Sequence, residues 1–371
     1  MIQLSFTSII LLAIAFTFLI ILSLYYLFIF SQALKVDSKT SDQPPVSVII
    51  AARNEFKNLQ NNLASILGQN YPNYEVVVIN DCSFDGTKDY LDDLAKSEPK
   101  LKIVTLAIDE RFQKGKKFAL TMGIKAATHE RLLFTDADCR PAGDEWIATM
   151  AKSFVDNTIT LGIAPLKTKK NLLGSIINYE TLHTAIQYLG YARRNEAYMG
   201  VGRNLSYTKT IFFENKGFAR HQHIMSGDDD LFVQQAAKSV KVNSVVSSNS
   251  FMYSNGPSDF GEFFKQKIRH LSTGKEYLPK YKMRLGIYSI SQIMLYFTLI
   301  SFLIYSSELW YLGVAILLTK WLIQWIVIGK IAIHLDAKKV AYALPYYDIL
   351  YTFFLLTFGV AQVFIKPKTW N

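Results

Sequence analysis

Two carboxylates one residue apart, Asp136 and Asp138, follow an apolar run at 132–134 in the stretch RLLFTDADCRP (131–141). With no basic neighbour until Arg140, the pair is a hard oxygen site suited to Mg²⁺ or Mn²⁺. Such ions bind through one or two carboxylates and take most other ligands from substrate phosphates and water. The apolar run reads as a strand buried on both faces, and open α/β sheets place their chemistry beyond the carboxyl ends of such strands. Taken alone, a D-x-D pair is more often a solvated turn at a strand end than a metal site. A second acidic group, SGDDDLF (226–232), sets three carboxylates side by side. Their repulsion calls for a raised pKa on one of them or a cation nearby. His221 and His223 precede it and read as surface or neighbouring side chains, with a metal-ligand role the less favoured alternative.

These groups need a scaffold, and the hydrophobic pattern predicts one. Residues 46–52 read as a buried strand that delivers Arg53, Asn54 and Glu55 at its carboxyl end. Leu59, Leu63, Ile66 and Leu67 are spaced for one face of a helix. Residues 74–79 form the next strand and lead into NDCSFDGT (80–87), where Asp85-Gly86 signals a turn and a helix begins near Lys88. A third strand covers 101–107, and Lys114-Gly115-Lys116-Lys117 opens a further helix before the strand that carries Asp136. This alternation predicts an α/β fold, a mostly parallel sheet with helices on both faces. No G-x-G-x-x-G follows the first strand and no G-x-x-x-x-G-K-[ST] loop occurs, which argues against a dehydrogenase or a P-loop enzyme.

Half of the 371 residues are hydrophobic, the formal net charge is +10 and the mean hydropathy is +0.15. A soluble domain joined to several membrane spans fits that balance. No charged side chain precedes Lys35, and residues 6–30 are apolar over a length sufficient to cross a hydrocarbon core of roughly 30 Å. Without the basic start and short core of a signal peptide, this segment is expected to be an uncleaved anchor. Runs at 285–305, 310–333 and 344–365 are also long enough to span, and Lys320 and Asp348 inside them are either snorkelling or interior polar groups. The expected divisions are an anchor (1–34), a linker (35–45), a catalytic domain (46–260), an interfacial amphipathic segment (261–284) and about three transmembrane helices (285–371). Lys35, Lys39 and the Lys338-Lys339 loop place the catalytic domain on the cytoplasmic side of a cell (inner) membrane. Lys366 and Lys368 oppose that rule and leave the topology of the last span open. The basic balance suits anionic lipid or a polyphosphate substrate, and no nucleic-acid module is present. Cys82 and Cys139 lack C-x-x-C spacing and are expected as free thiols.

Four ordered motifs, PVSVIIAARNE (45–55), NDCSFDGT (80–87), KGKKFAL (114–120) and DAD (136–138), resemble family 2 glycosyltransferases of the GT-A (Rossmann-like) fold, and the resemblance reaches from residue 44 to about 275. Together with the spans it implies metal-dependent transfer from a nucleotide-sugar, UDP- or GDP-linked, to a lipid or lipid-linked acceptor. Glu55 and Asp81, with Arg53, would then hold the nucleotide, and Lys116 would lie near the phosphates. Asp136 and Asp138 would hold the metal on the diphosphate, with Asp138 the direct ligand. The SGDDDLF stretch resembles the family's Glu-Asp or Gly-Asp-Asp element, which carries the general base. Counting back from Leu231 selects Asp228; matching the Gly-Asp-Asp start selects Asp229. One base opposite the leaving group implies a single displacement with inversion. Gly202, Arg203 and Asn204, after a helical stretch at 172–194, correspond to the acceptor flank. QKIRH (266–270) resembles the Q-x-x-R-W element, so Gln266 and Arg269 would close on the diphosphate. His270 stands in the place of the usual Trp, which puts the stacking floor under the acceptor sugar in question. A processive polysaccharide synthase fits the same element, whereas an inactive scaffold with this fold is opposed by the intact motif set.

Overall fold

A computed structural model describes residues 5–35, 40–107, 115–224 and 226–365, so Lys39, Lys114, Lys366 and Lys368 lie outside the described residues. The chain divides into two compact units. One comprises Lys35–Thr181 and Ala192–Asp259, and the other joins Met1–Leu34, Leu182–Tyr191 and Phe260–Lys368.

The first unit is built on the strands β1 (Val46–Ala52), β2 (Tyr74–Asp81), β3 (Leu101–Leu106), β4 (Arg131–Asp136), β5 (Arg140–Pro141), β6 (Thr158–Leu161), β7 (Leu166–Lys167), β8 (Leu205–Thr208), β9 (Lys241–Ser244) and β10 (Met252–Asn255). Seven of them form a sheet in the order β3-β2-β1-β4-β8-β6-β9, and β5-β10-β7 form a smaller one. The first four are mutually parallel, as the alternation predicts. Val48, Ile50, Val76 and Val78 join Leu59, Leu63 and Ile66 of the helix Phe56–Leu67 in one core cluster. Ile49 and Ile79 face the helix Lys116–Ala126 instead, and Gly123 is what lets that helix approach: a Cβ there would lie 2.4 Å from Ile79 Cδ1. Both faces of β1, β2 and β4 are thus buried, which explains their apolar runs, whereas the edge strand β3 is partly exposed.

The chain steps from β1 to β3 in one direction and then returns to the far side of β1 for β4. That reversal opens a crevice beyond the carboxyl ends of β1 and β4, where ligands of open α/β sheets bind. β8 departs from the parallel pattern and runs antiparallel to β4, with Leu205 opposite Phe134. Its direction follows from its start: the turn Gly202–Asn204 sits at the carboxyl end of β4, so the strand after it can only run back.

In the other unit, four helices are long and apolar enough to cross a membrane: Phe6–Gln32, Pro279–Tyr305, Ser307–His334 and Leu344–Ala361. Lys320 and Asp348 are 0% and 1% exposed and form an ion pair, so they are interior groups and do not snorkel. Gln292 and Gln324 each donate to Asp348 Oδ1 at 2.9 Å, Trp321 donates to Oδ2 at 3.3 Å, and Tyr296 donates to the same oxygen. Removing one partner of a buried pair costs about 3–5 kcal/mol, whereas replacing both by apolar residues is often nearly neutral. Lys320→Leu is therefore expected to lower the thermal midpoint of the detergent-solubilised protein, and Lys320→Leu with Asp348→Leu to recover most of the loss. A double variant no more stable than the single one would show that the pair is not the origin.

Candidate active site

Two loops at the carboxyl ends of β1 and β2 are laced together by side chains. Ser83 Oγ accepts from the Asn54 amide (2.9 Å) and Asn54 Oδ1 from the Phe84 amide (3.0 Å). Asp85 accepts from the amides of Phe56 and Thr87, while Thr87 Oγ1 accepts from the Glu55 amide. Asn54 and Cys82 adopt the left-handed region to make these turns. The lacing presents Glu55 half-buried, Asp81 buried and Arg53 exposed. Burial raises the Glu55 pKa; Asn58 opposes this through a 2.6 Å hydrogen bond, and the Asp138 and Asp136 carboxylates push it further up.

β4 carries Asp136 to its end, and Asp138 follows one turn residue later. Burial, then the neighbouring Asp136, raises the Asp138 pKa, while Cys139, Arg203 and Lys116 offset part of this. Cys139 is fully buried and donates to Asp138 Oδ1 at 3.3 Å, and burial pushes its thiol pKa up, so it is an inert neighbour. Both cysteines are free thiols, as expected. Thr135 Oγ1, also in the pocket wall, is buried with no hydrogen-bond partner among the described residues.

The second acidic group arrives on a loop fixed from two sides. Phe232, in the helix Asp230–Ala236, packs against Tyr207, Phe212 and Phe218, with ring centroids 4.6, 5.6 and 5.8 Å away. Tyr207 in turn stacks on Phe134 of β4 at 4.4 Å. On the other side, Lys117 is buried and its ammonium donates to the carbonyls of His221 (2.6 Å), Ile224 (2.9 Å) and Ser226 (2.7 Å). Gly227, at φ +88°, then turns the chain through a conformation other residues rarely adopt. Asp229 accepts the Gly202 amide on Oδ2 and the Asp230 amide on Oδ1, each at 2.8 Å. Asp228 points at Lys116, whose Nζ lies 3.2 Å from Asp228 Oδ2 and 2.8 Å from Asp136 Oδ1. Burial works against the Lys116 charge, but Asp136 and Asp228 outweigh it and hold the pKa well above its usual value. Burial and Asp228 raise the Asp229 pKa, with Lys116 and the two amides opposing.

The structure thus gathers Lys116, Asp136, Gly202, Asp228 and Asp229 in the wall of one pocket. Arg203 acts electrostatically on Asp138 and donates to Ser254. Asn204 is fully buried, with its amide nitrogen donating to Ile163 and Ser250 carbonyls and its oxygen accepting from Trp146 Nε1. It braces the turn from within. Gln266, Arg269 and His270 lie on the helix Phe260–Gly274 of the other unit, Gln266 half-buried and the other two exposed. His221 is buried, not at the surface, whereas His223 is exposed. Among the described residues no three His, Cys, Asp or Glu side chains are grouped to hold a metal by themselves. Asp136 and Asp138 form an all-oxygen pair that fits a hard divalent ion whose remaining ligands come from phosphate and water. The lacing by Ser83, Asp85 and Thr87 and the Lys117 clamp were missed by reading for chemistry; the turn residues were their only signal.

The Glycosyl transferase family 2 model matches residues 47–205. A poly-beta-1,6-N-acetyl-D-glucosamine synthase of Staphylococcus epidermidis is 26% identical over 257 residues, covering 67% of this chain and 59% of the relative. Glycosyltransferase AglE of Haloferax volcanii is 38% identical over 110 residues, 29% of this chain and 34% of that protein. Mannosyltransferase PcManGT from Pyrobaculum calidifontis, solved with GDP-Man and Mn²⁺, matches at a TM-score of 0.57 and 19% identity, covering 96% of this chain and 98% of that one. The likeness establishes a GT-A fold.

The buried His221 gives the loop before Asp228 a pH dependence. Burial, then the Lys117 charge, lowers its pKa from 6.5 to about 4. Below 6.5 the unfolded chain takes up this proton while the folded chain does not, so stability falls as the pH drops toward 4. The full span is at most about 3 kcal/mol. His221→Gln is expected to flatten the decline in thermal midpoint between pH 7 and pH 5; an unchanged slope would reject this origin.

Proposed function

With residues 47–205 forming a glycosyl transferase family 2 domain, we propose that the chain moves a sugar, hexosyl or N-acetylhexosaminyl, from a UDP- or GDP-linked donor to a lipid or lipid-linked acceptor, with inversion, at the cytoplasmic face of the cell membrane. One observation carries the reading: a single ammonium, Lys116, reaches Asp136 on the donor side and Asp228 on the acceptor side. Leaving group and attacking hydroxyl would thus meet across one small pocket. The lipid acceptor is supported by the four apolar helices.

Arg53, Glu55 and Asp81 bind the nucleotide, and Lys116 binds the diphosphate. Asp136 and Asp138 hold Mg²⁺ or Mn²⁺, in keeping with the Mn²⁺ in PcManGT. When bound there, the ion neutralises charge on the departing diphosphate. Asp228 takes the proton of the acceptor hydroxyl as its oxygen bonds to the anomeric carbon and the bond to the diphosphate oxygen breaks. Asp229 is the positioning partner, because both its oxygens already accept backbone amides. Gly202 and Arg203 line the acceptor side, with Asn204 behind them.

A second reading, a processive polysaccharide synthase, is favoured by the name of the S. epidermidis relative, although the match spans 59% of that protein. Lipid mass spectrometry of cells with and without the gene, followed by a donor screen on purified protein, tests the first reading. Long products grown on a soluble oligosaccharide would decide for the second. Asp228→Asn is expected to keep donor binding yet lower turnover by about 10² or more, with a smaller effect for Asp229→Asn; the reverse order would exchange their roles. Asp138→Ala is expected to abolish metal-dependent donor binding. If donor binding, turnover and phenotype all survive these changes, the chain is a scaffold.

A further inference from the structure

We propose that Lys116 is a resident counter-cation that closes Asp136 to the divalent metal until a nucleoside diphosphate draws its ammonium away, so that metal and donor bind cooperatively. The inference rests on the assignment of Asp136 and Asp138 as metal ligands. Lys116 is the first residue of the helix Lys116–Ala126, where the helix dipole disfavours a cation. Its charge is sustained there by Asp136 at 2.8 Å and Asp228 at 3.2 Å. An ammonium that close to Asp136 Oδ1 occupies the approach a metal would use, because Mg²⁺ binds such an oxygen at about 2.0–2.1 Å and the two cations repel.

The neighbouring lysine shows that the position is specific. Lys117 spends its three donors on the backbone carbonyls of His221, Ile224 and Ser226 and cannot follow a phosphate without releasing that loop. Among the described residues Lys116 forms its ion pairs with the Asp136 and Asp228 carboxylates, on a stem with four rotatable carbons, and a diphosphate is the stronger attractor for a mobile point charge. The helix N-terminus that disfavours the lysine favours the incoming phosphate. Moving the ammonium from carboxylate to phosphate frees Asp136 for the metal and withdraws the cation from Asp228 in the same step. By linkage, whatever factor the nucleotide adds to metal affinity the metal adds to nucleotide affinity.

The experiment measures Mn²⁺ binding to the full-length protein in detergent by the loss of the free-ion paramagnetic resonance signal, with no nucleotide present. Lys116→Met and Lys116→Gln are each expected to bind Mn²⁺ about tenfold or more tightly than wild type, within the usual range of such couplings. Lys116→Arg, which keeps the charge, is expected to stay near wild type. Adding Asp138→Ala to Lys116→Met should abolish the gain. Equal Mn²⁺ affinity in wild type and both neutral variants, still sensitive to Asp138→Ala, would overturn the counter-cation role and leave the metal assignment standing. Mn²⁺ binding insensitive to Asp138→Ala in every background would overturn both.

Discussion

Like charge crowded into a partly buried pocket is the constraint on which this molecule's active half depends. Asp136, Asp228 and Asp229 converge in one part-buried pocket with Asp138 following on the same loop, and such a set needs opposing charge, hydrogen-bond donors or a retained proton. Lys116 supplies the charge directly and Arg203 contributes at Asp138. Backbone amides hold Asp229 in place of a further cation. Much of the surrounding architecture can be understood as the means of bringing these few groups to one point and keeping them there.

That means is mostly apolar. Gly123 lets the lysine-bearing helix settle on Ile49 and Ile79, which fixes where its first residue stands. The Phe134, Tyr207 and Phe232 stack ties the strand that carries Asp136 to the helix that follows Asp228 and Asp229. β8, by running backward from the crevice, brings the Gly202 amide to Asp229. The two acidic motifs lie about ninety residues apart in sequence, yet one packed aromatic column and one reversed strand place them together. The family-model match over residues 47–205 and the GT-A likeness agree with this arrangement.

The parallel half of the sheet was legible in the sequence because strands buried on both faces must be apolar throughout, and β1 runs over the same residues, 46–52, that the pattern marks. The acidic motifs were legible for the opposite reason: carboxylates gathered at a strand end are too costly to be incidental. What stayed hidden was direction. Nothing in Gly115-Lys116-Lys117 says that one lysine faces carboxylates and the next faces three carbonyls, since that depends on where a loop one hundred residues later passes. The choice between Asp228 and Asp229 was hidden in the same way. Asp229 is the one that meets two backbone amides, and motif counting cannot see amides. Asn204 shows the converse, a polar residue in a motif whose side chain is turned entirely inward.

The buried pair in the apolar helices bears on how the chain is made. A lysine or aspartate offered to lipid on a lone helix costs about 2.5–3.5 kcal/mol at the bilayer centre. Lys320 lies on the helix Ser307–His334 and Asp348 on Leu344–Ala361, which follow one another in the chain. Inserted one at a time, each would carry an unopposed charge into hydrocarbon. Two such spans entering lipid together as a hairpin would neutralise one another first.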